Sequence, residues 1–255
     1  MSCRLKNNVA VVTGSTGGIG EGIARALAAE GAAVVVSGRR TGQGEAVARD
    51  IREHGREALF VRADLAREAD CRALIDAALE HFGRLDVLVN NAALFPSLPM
   101  EHVTPEQWDE VFAVNARGAF LCCQRAIPAM RQEGGGSIIN IGTSVVYRGS
   151  AERLAYACSK GALLTMTKAL ARSYVQDRIR VNWVTVGWVA TPGEVELRNE
   201  LHGDGRAYLQ EIAEQAPLGR LETVDDIAAG VIYLASEEAS HVTGCELNVS
   251  GGLWV

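Results

Sequence analysis

The stretch VAVVTGSTGGIGEGIARALAAEG, residues 9–31, predicts a buried strand, a glycine-rich turn and an amphipathic helix in that order. Gly14, Gly18 and Gly20 give the turn the spacing T-G-x-x-x-G-x-G. Such a turn lets backbone N–H groups approach a pyrophosphate, and the helix N-terminus beyond it favours negative charge. A tight turn without a ligand is the alternative, but the flanking strand and helix favour a dinucleotide. The turn residues predicted to contact it are Gly14, Ser15, Thr16, Gly18, Ile19 and Gly20.

Six further apolar runs, rich in valine and isoleucine, alternate with longer helical patterns along the chain. Nearly continuous apolar runs are typical of parallel strands that are covered on both faces. The repetition predicts an α/β fold with a doubly wound parallel sheet and right-handed crossovers. Since no linker or repeat interrupts it, we expect a single domain over residues 1–255. The predicted strands are residues 9–13, 33–37, 58–61, 85–89, 137–141, 179–184 and 246–249.

One stretch departs from this alternation. From Gly187 to about Pro217 no strand-like run occurs, and HGDG at 202–205 separates two helical fragments. A segment of this length within a compact domain is often a lid or a binding loop. We therefore predict a substrate loop at about 187–217.

The composition argues against several classes of partner. The 255 residues carry a formal net charge of −6, and their Lys and Arg residues are scattered, so we expect no nucleic-acid ligand. No apolar run approaches the roughly 20 residues that span a bilayer. The strand predicted from residue 9 leaves no room for a secretory segment before it. We expect no membrane association and a cytoplasmic location.

The cysteines and histidines indicate neither a disulfide framework nor a metal site. No two cysteines form a C-x-x-C pair, and the five histidines lie far apart. Because the cysteines fall in segments predicted to be buried, free core thiols are expected. The six are Cys3, Cys71, Cys122, Cys123, Cys158 and Cys245.

The second predicted strand ends in VVVSGRR, residues 34–40, which bears on the choice of dinucleotide. A carboxylate in this region binds a ribose 2′-OH, whereas an arginine accommodates a 2′-phosphate. Gly38 stands where an acid is expected, and Arg39 and Arg40 follow it. Guanidinium–phosphate pairs are strong and often bidentate. A solvated basic pair in a turn is the alternative. NADP is therefore the predicted cofactor, with NAD as the second candidate.

A tyrosine and a lysine near the middle of the chain are candidates for the chemistry. In GTSVVYRGSAERLAYACSK, residues 142–160, Tyr156 and Lys160 stand four apart and share one helix face, which Tyr147 does not. A free tyrosine titrates at about 10. A lysine ammonium one turn away and an oxidised nicotinamide should lower the pKa of Tyr156. Tyr156 could then accept an alcohol proton or donate one to a carbonyl. A helix-surface pair is the alternative.

Seven short motifs occur in order along the chain. They are TGSTGGIG at 13–20, ADL at 63–65, NNAA at 90–93, NARG at 115–118, YACSK at 156–160, RVNWVTVGWVAT at 180–191 and TGCELNVSGG at 243–252. In their joint order and spacing they resemble the short-chain dehydrogenase/reductase family over essentially the whole chain. The resemblance implies a seven-stranded Rossmann fold, a homotetramer, and hydride transfer between NAD(P) and a small-molecule alcohol or carbonyl.

The resemblance also implies roles for individual residues. Asn115, Tyr156 and Lys160 match the family's catalytic residues. Lys160 would also bind the nicotinamide ribose, and Asn115 would hold a water that links Lys160 to solvent. The remaining implied cofactor contacts are Asp64 and Leu65 at the adenine, Asn91, Ala92 and Ala93 at a ribose, and Val189 and Thr191 at the carboxamide.

The chain departs from the family pattern at three places. The family's substrate-orienting serine, thirteen residues before Tyr156, falls at Thr143, whose neighbour is Ser144. Either Thr143 holds the substrate oxygen, or a one-residue shift of the loop brings Ser144 into place, and the ungapped count favours Thr143. Ala93 replaces a usual glycine and Val186 a usual proline, changes that affect loop conformation without removing a reactive group.

The sequence leaves other functions and the substrate open. A catalytically weak nucleotide-binding sensor or scaffold, and an epimerase or dehydratase, are the alternatives to an NADP-dependent oxidoreductase. Phe95, Tyr147 and Trp188 are predicted walls of the substrate site, whereas Trp183 is expected in the core. A sugar or polyol, a hydroxysteroid and a keto ester are all candidate substrates. No cluster of charges near the predicted site indicates an anionic one.

Overall fold

A computed structural model describes residues 3–252, and in it all seven predicted strands form. The strands are β1 Val9–Val12, β2 Ala33–Gly38, β3 Ala58–Arg62, β4 Val87–Asn90, β5 Gly136–Ile141, β6 Ile179–Thr185 and β7 Glu246–Asn248. They pair in parallel into one sheet in the order β3-β2-β1-β4-β5-β6-β7. The predicted ends are off by two residues at most, and the doubly wound α/β prediction is confirmed.

The helices follow the strands as the alternation predicts. Gly18 begins the first helix directly after the glycine turn, and Glu133 and two glycines separate the fifth helix from β5. The helices are α1 Gly18–Ala29, α2 Thr41–Glu53, α3 Glu68–Phe82, α4 Pro105–Phe112, α5 Ala119–Gln132, α6 Val145–Arg148, α7 Leu154–Tyr174, α8 Pro192–His202, α9 Gly205–Gln215 and α10 Val224–Ala235. A π-helical segment, Ala113–Gly118, connects α4 to α5.

Neighbouring residues of each strand face opposite sides of the sheet and enter two separate cores. Val12 of β1 packs with Ile23 of α1 and Val231 of α10. Val11, the preceding residue, packs on the other side with Leu74 of α3 and helix α5. Because both faces are buried, the strands need apolar residues at every position, which explains their continuous valine and isoleucine runs.

The order of the strands determines where a site can form. The chain leaves β1 towards β2 on one side and returns to β4 on the other, so the sheet has a switch point between β1 and β4. In open α/β sheets ligands bind at such a point, outside the carboxyl ends of the strands. The glycine turn follows β1 directly at this edge.

The cysteines agree only in part with the expectation of core thiols. Cys71, Cys122 and Cys123 are buried free thiols, but Cys3 and Cys158 are exposed. Cys158 lies on α7, on the face of the helix that is turned away from the core, which the sequence pattern did not separate from the buried face. Within residues 3–252 no group of side chains could hold a metal ion, and no helix is long and apolar enough to cross a membrane.

Candidate active site

A cavity of about 1120 Å³ opens along the carboxyl ends of the strands. Most residues predicted for the cofactor and the chemistry line it, although they come from distant parts of the chain. These are Gly14, Thr16, Gly18, Ile19, Gly20, Arg39, Arg40, Asp64, Leu65, Asn91, Ala92, Ala93, Phe95, Thr143, Ser144, Tyr156, Lys160, Trp188, Val189 and Thr191. Three other predicted residues, Ser15, Asn115 and Tyr147, do not line it.

The glycines of the first turn are required by close backbone contacts. Gly14 has a φ of +65°, and a Cβ there would lie 2.8 Å from Ala92 Cα. A Cβ on Gly20 would lie 2.4 Å from both Asn91 Nδ2 and Gly14 O. The Asn91 amide in turn donates to Thr13 O at 2.9 Å and to Gly14 O at 3.1 Å. The turn is therefore held against the end of β4, with the N-terminus of α1 facing the cavity.

Ser15 supports this turn from behind rather than from the cavity side. Its hydroxyl donates to Val12 O at 2.7 Å and accepts from Ser37 N at 2.9 Å, and its side chain is fully buried. Ser15 thus joins the ends of β1 and β2. Its predicted contact with the cofactor is not supported by this placement of the side chain.

The end of β2 is shaped by one steric contact and two arginines. A Cβ on Gly38 would lie 2.7 Å from Thr16 Cγ2, so the position is closed to a side chain unless Thr16 moves. The Arg40 guanidinium lies 3.3 Å from Thr16 Oγ1, beside the glycine turn. Arg39 is exposed and lines the same part of the cavity. Ser37 Oγ, also on the cavity wall, is buried and has no partner among the described residues.

Lys160 lies at the floor of the cavity. Its side chain is only 2% exposed, and its Nζ donates to Ile141 O, the last carbonyl of β5, at 2.7 Å. Burial lowers the pKa of Lys160 to about 8. An ammonium has three donors, so donors are left for a group that enters the cavity.

Tyr156 stands one helical turn before Lys160 and lines the same cavity as Thr143. Burial raises the pKa of Tyr156, and a hydrogen bond from the Thr143 side chain and the positive charge of Arg153 act in the opposite direction. In the protein alone the pKa of Tyr156 is therefore raised, and the lowering expected from Lys160 together with an oxidised nicotinamide stays a prediction. The reason is that desolvation of the phenolate, which residue spacing does not reveal, exceeds the effect of the neighbouring groups.

The two adjacent hydroxyls of the β5–α7 connection have different partners. The Thr143 side chain lowers the pKa of the Tyr156 phenol, and its Oγ1 accepts from Val145 N at 3.3 Å. Ser144 lines the cavity, and its backbone N–H donates to Val186 O at 3.0 Å. The effect on Tyr156 supports Thr143 as the residue closer to the chemistry.

Asn115 lies behind the cavity wall, in the π-helical segment. Its Oδ1 accepts from Leu94 N at 2.7 Å, and its Nδ2 donates to Leu94 O at 2.8 Å and to Ser159 Oγ at 3.0 Å. Ser159 precedes Lys160, and its hydroxyl donates to Tyr156 O at 2.8 Å. Asn115 therefore ties the end of β4 to the helix of Tyr156. π-helical turns are frequent at functional sites.

Tyr147 points away from the cavity. It is 51% exposed, and its hydroxyl donates to the Glu246 carboxylate and contacts Thr185 Oγ1 at 3.3 Å. The prediction that Tyr147 forms a wall of the substrate site is not supported by this placement. Phe95 and Trp188 do line the cavity, and the Phe95 ring lies edge-to-face with Tyr156 at 6.3 Å. Trp183 is fully buried, as expected.

The predicted substrate loop folds as helices α8 and α9, and both contribute to the cavity wall. Thr191 caps α8 by accepting from Glu194 N at 3.3 Å. Five lining residues of these helices were missed by the sequence analysis: Pro192, Gly193, Glu194, Arg198 and Tyr208. No motif marks them, because they reach the cavity only through the packing of α8 against α9.

A buried carboxylate behind the loop was also missed. Glu222 is 6% exposed, and it accepts hydrogen bonds from the backbone N–H groups of Gly187, at 2.9 Å, and Trp188. Its own N–H donates to Trp188 O at 3.2 Å. Burial raises the pKa of Glu222 to about 7. Glu222 therefore holds the beginning of the loop that carries Val189 and Thr191.

Comparison with known proteins identifies the family. A family model described as enoyl-(acyl carrier protein) reductase matches residues 14–254. L-Fucose dehydrogenase of Oryctolagus cuniculus is 41% identical over 250 residues, covering 98% of this chain and 86% of the relative. The chain belongs to the short-chain dehydrogenase/reductase family. D-β-Hydroxybutyrate dehydrogenase of Cupriavidus necator is 35% identical, covering 98% of this chain and 99% of that one.

A solved structure of similar sequence has the same fold and contains a bound cofactor. It is described as an NAD(P)-dependent gluconate 5-dehydrogenase from Beutenbergia cavernae with bound NADP. It is 35% identical, with a TM-score of 0.90, and 99% of this chain and 98% of that one are covered. This protein is accordingly an NAD(P)-dependent oxidoreductase that acts on CH–OH groups.

The residues of this short-chain dehydrogenase/reductase fit an NAD(P) group. The glycine turn has no room for a Cβ on Gly14 or Gly20. The N-terminus of α1 favours the negative charge of a pyrophosphate, and the Lys160 ammonium has donors left for a ribose. When bound, the nicotinamide supplies the acceptor or donor of a hydride. The protein's own residues must then position the alcohol or carbonyl and move its proton.

Proposed function

We propose that this protein is an NADP-preferring alcohol dehydrogenase/carbonyl reductase in which Tyr156 is the general acid/base. The observation that carries the proposal is that Tyr156, Thr143 and the buried Lys160 line the same cavity as the glycine turn. A hydroxyl next to the phenol can hold the substrate oxygen in place while the proton moves.

In this mechanism, Tyr156 donates its proton to the substrate oxygen during reduction and accepts the proton during oxidation. Because burial raises the pKa of Tyr156, the phenol is protonated at neutral pH and suited to reduction. Oxidation requires the phenolate, which the positive charge of Arg153 stabilises. Thr143 positions the substrate oxygen, and Asn115 fixes the catalytic helix through Ser159.

For the cofactor, Arg39 and Arg40 are proposed to bind a 2′-phosphate. Both line the cavity at the end of β2, and the Gly38–Thr16 contact leaves no room there for the acidic side chain that would select a 2′-OH. We expect Arg40→Met to raise the KM for NADP about tenfold or more, since a charged hydrogen bond is lost, and to change the KM for NAD little. Arg49→Met, on the exposed side of α2, is the matched control. An equal loss with both cofactors would contradict the assignment.

Two further proposals concern the predicted substrate loop and the assembly of the protein. Residues 187–217 are proposed as a substrate lid, which is supported by the cavity-lining residues of α8 and α9. A homotetramer in the cytoplasm is also proposed, on the likeness of residues 243–252 to the family's subunit-contact region. A monomer in sedimentation velocity would contradict the oligomer.

The deciding experiment is a spectrophotometric assay with NADP(H) and NAD(H) over alcohols and carbonyls. The relatives are named for a sugar and for hydroxy acids, so both classes belong in the panel. Tyr156→Phe should reduce kcat by a factor of about 10² or more, and the alkaline rise of the oxidation rate should disappear. Tyr147→Phe, whose hydroxyl lies outside the cavity, is the control and should turn over normally. Retained turnover in Tyr156→Phe would refute the mechanism.

A further inference from the structure

A single residue fastens the loop that follows β6. Within the part of the chain that the structure describes, every hydrogen bond that joins residues 187–190 to another segment goes to Glu222. Gly187 N donates to Glu222 Oε2 at 2.9 Å, and the N–H of Trp188 also stabilises the charged carboxyl. In the reverse direction, Glu222 N donates to Trp188 O at 3.2 Å, and Val189 pairs with Glu222 in a parallel β-bridge. The position of the loop therefore depends on one residue that is distant in sequence.

The chain is fixed on both sides of Glu222. The next residue, Thr223, forms the capping box of α10: its N–H donates to Asp226 Oδ2 at 2.8 Å, and its Oγ1 accepts from Asp226 N at 3.2 Å. Arg220, on the other side, donates to the same Asp226 carboxylate at 2.6 Å. Because these contacts hold its own segment, Glu222 can hold the loop in place rather than follow its motion.

The loop carries residues of the cavity wall. Trp188, Val189 and Thr191 all line the cavity, whereas Glu222 lies behind it. The family resemblance implies that Val189 and Thr191 hold the nicotinamide carboxamide, and Thr191 also caps α8. Glu222 would therefore act on the cofactor through the backbone of this loop and not by direct contact.

The Glu222 carboxyl exchanges its proton near neutral pH. It is 6% exposed, and burial raises its pKa to about 7. Its Oε1 has no hydrogen-bond partner among residues 3–252. Hydrogen bonds to an ionised acceptor are about twice as strong as those to a neutral one. Protonation therefore weakens the acceptor of the Gly187 and Trp188 N–H groups, and it adds an O–H that needs an acceptor of its own.

The charges around Glu222 are paired with one another. On its own segment, the charge of Asp226 raises the pKa of Glu222 and that of Arg220 lowers it, and these two residues form an ion pair at 2.6 Å. On the side of the loop, Arg198 Nε lies 2.8 Å from Glu194 Oε1. The ionisation of Glu222 is therefore the change of charge that acts directly on the loop.

One histidine near the loop must be tested separately. The ring of His202 stacks on that of Tyr208 at 4.0 Å, and the Tyr208 ring lies edge-to-face with Trp188 at 6.2 Å. Histidine is the side chain that most often changes its charge near neutral pH. Since His202 is exposed, it can be replaced without opening the core.

We propose that Glu222 is a positioning residue for NADP: its carboxylate fixes the loop of residues 187–190 for the nicotinamide, and its protonated form releases the loop. Turnover then requires the Glu222 carboxylate in addition to proton transfer by Tyr156. The link to the nicotinamide rests on the proposed function, whereas the contacts of the loop do not.

The first measurement needs neither cofactor nor substrate. In the free protein the fluorescence of Trp188 should change between pH 6 and pH 8 with a midpoint at about 7, because the loop is released as Glu222 is protonated. Glu222→Gln, which is nearly isosteric and does not ionise, should abolish the change, and Trp188→Phe should remove the signal. Asp225→Asn removes an exposed carboxylate three positions away and should keep the change. A change that persists in Glu222→Gln and disappears in His202→Gln would overturn the proposal.

The second measurement compares the whole cofactor with its adenosine half. NADP⁺ and 2′,5′-ADP share the 2′-phosphate, but only NADP⁺ carries the nicotinamide. We expect the charged carboxyl to improve NADP⁺ binding about tenfold over the neutral one. The ratio of the Kd for NADP⁺ to the Kd for 2′,5′-ADP should then rise about fivefold from pH 8 to pH 6, because about nine-tenths of the carboxyl is in one form at each pH.

The variants decide whether this ratio reports Glu222. Glu222→Gln should keep the ratio constant with pH, and Asp225→Asn should behave as the wild type. If Glu222→Gln does not fold, Glu222→Asp provides a second comparison: its carboxylate is one methylene shorter and should give a raised ratio already at pH 8. A wild-type ratio that does not change with pH, or that changes equally in Glu222→Gln, would overturn the positioning role and leave the proposed function intact.

Turnover separates the positioning role from the proposed function. With the best alcohol of the panel, the kcat/KM of the wild type for NADP⁺, relative to that of Glu222→Gln, should fall about fivefold from pH 8 to pH 6. Identical pH profiles of the two proteins would contradict the positioning role. The expected fluorescence change and Kd ratio without any alcohol oxidation would support the positioning role and refute the proposed function.

Discussion

Replacing Glu222 by glutamine should make the free energy of unfolding of the protein less dependent on pH. The wild-type carboxyl is 6% exposed, its Oε1 has no partner among the described residues, and burial raises its pKa from 4.5 to about 7. Its charged form is thus disfavoured in the folded state, although it accepts backbone hydrogen bonds from Gly187 and Trp188. Glutamine has a similar shape, keeps a carbonyl acceptor and does not ionise.

The magnitude follows from the difference between the two pKa values. Between pH 4.5 and about 7 the folded protein binds one proton more than the unfolded chain at Glu222, so stability must fall as the pH rises. At about 1.4 kcal/mol per pH unit, the gap amounts to about 3 kcal/mol. The contribution is fully present below pH 4.5 and is lost above about pH 7. The charge of Asp226 also raises the pKa of Glu222, whereas the charge of Arg220 lowers it.

The assay is denaturant unfolding of the wild type and Glu222→Gln from pH 5 to pH 8. The free energy of unfolding of the wild type, relative to the variant, should fall by about 3 kcal/mol across this range. Glu211→Gln, which removes an exposed carboxylate of α9, is the control for the loss of one charge. A difference that is flat, or that rises with pH, would refute the conclusion that a buried carboxyl restrains the loop.

Three further predictions concern core packing, the buried Lys160 and the loop of residues 187–217. In denaturant unfolding, Gly44→Ala should lower the free energy of unfolding by about 1–3 kcal/mol, because the added Cβ would lie 2.0 Å from Phe60 Cε2. Gly161→Ala should instead raise the free energy of unfolding by about 0.5–1 kcal/mol, because a Cβ there meets only open space at the helix surface. Lys160→Met should raise the free energy of unfolding at pH 7 by about 1–3 kcal/mol, while turnover is lost. At pH 7 the Lys160 side chain lies below its pKa of about 8 and is charged, and burial of that charge costs free energy in the folded protein. A stability that falls would contradict the burial cost. Thr191→Ala removes the N-cap of α8 and should lower the free energy of unfolding by about 1 kcal/mol. It should also raise the KM for the substrate. An unchanged KM would show that the cap does not position the loop.

The strands and the cofactor region could be predicted because their physical requirements are local. A strand buried on both faces needs apolar residues throughout, and a turn whose Gly20 touches Asn91 needs glycine. Such constraints produce patterns of neighbouring residues that can be recognised in the sequence. The order of the motifs then located Tyr156 and Lys160 within a single cavity.

The remaining site properties depend on packing between distant segments. Arg153 and Glu194 are 41 positions apart, and their contact arises only when α8 lies against the start of α7 in the folded chain. Glu222 is buried beneath a loop whose sequence gives no indication of it. The pKa of Tyr156 is raised because desolvation depends on the enclosing walls. Tyr147 was assigned to the substrate site by proximity in sequence, but its hydroxyl turns to Glu246 across the sheet edge.

The contact between Thr16 and Gly38 constrains how cofactor preference could be changed by mutation. An aspartate at position 38 would place its Cβ 2.7 Å from Thr16 Cγ2, so Gly38→Asp alone should disturb the turn before it can recognise a ribose hydroxyl. Thr16→Ser removes the obstructing methyl and keeps the hydroxyl near Arg40. The two substitutions are in contact and should not be additive. A route from NADP to NAD is therefore ordered: position 16 must change first, and the reverse order passes through a defective intermediate.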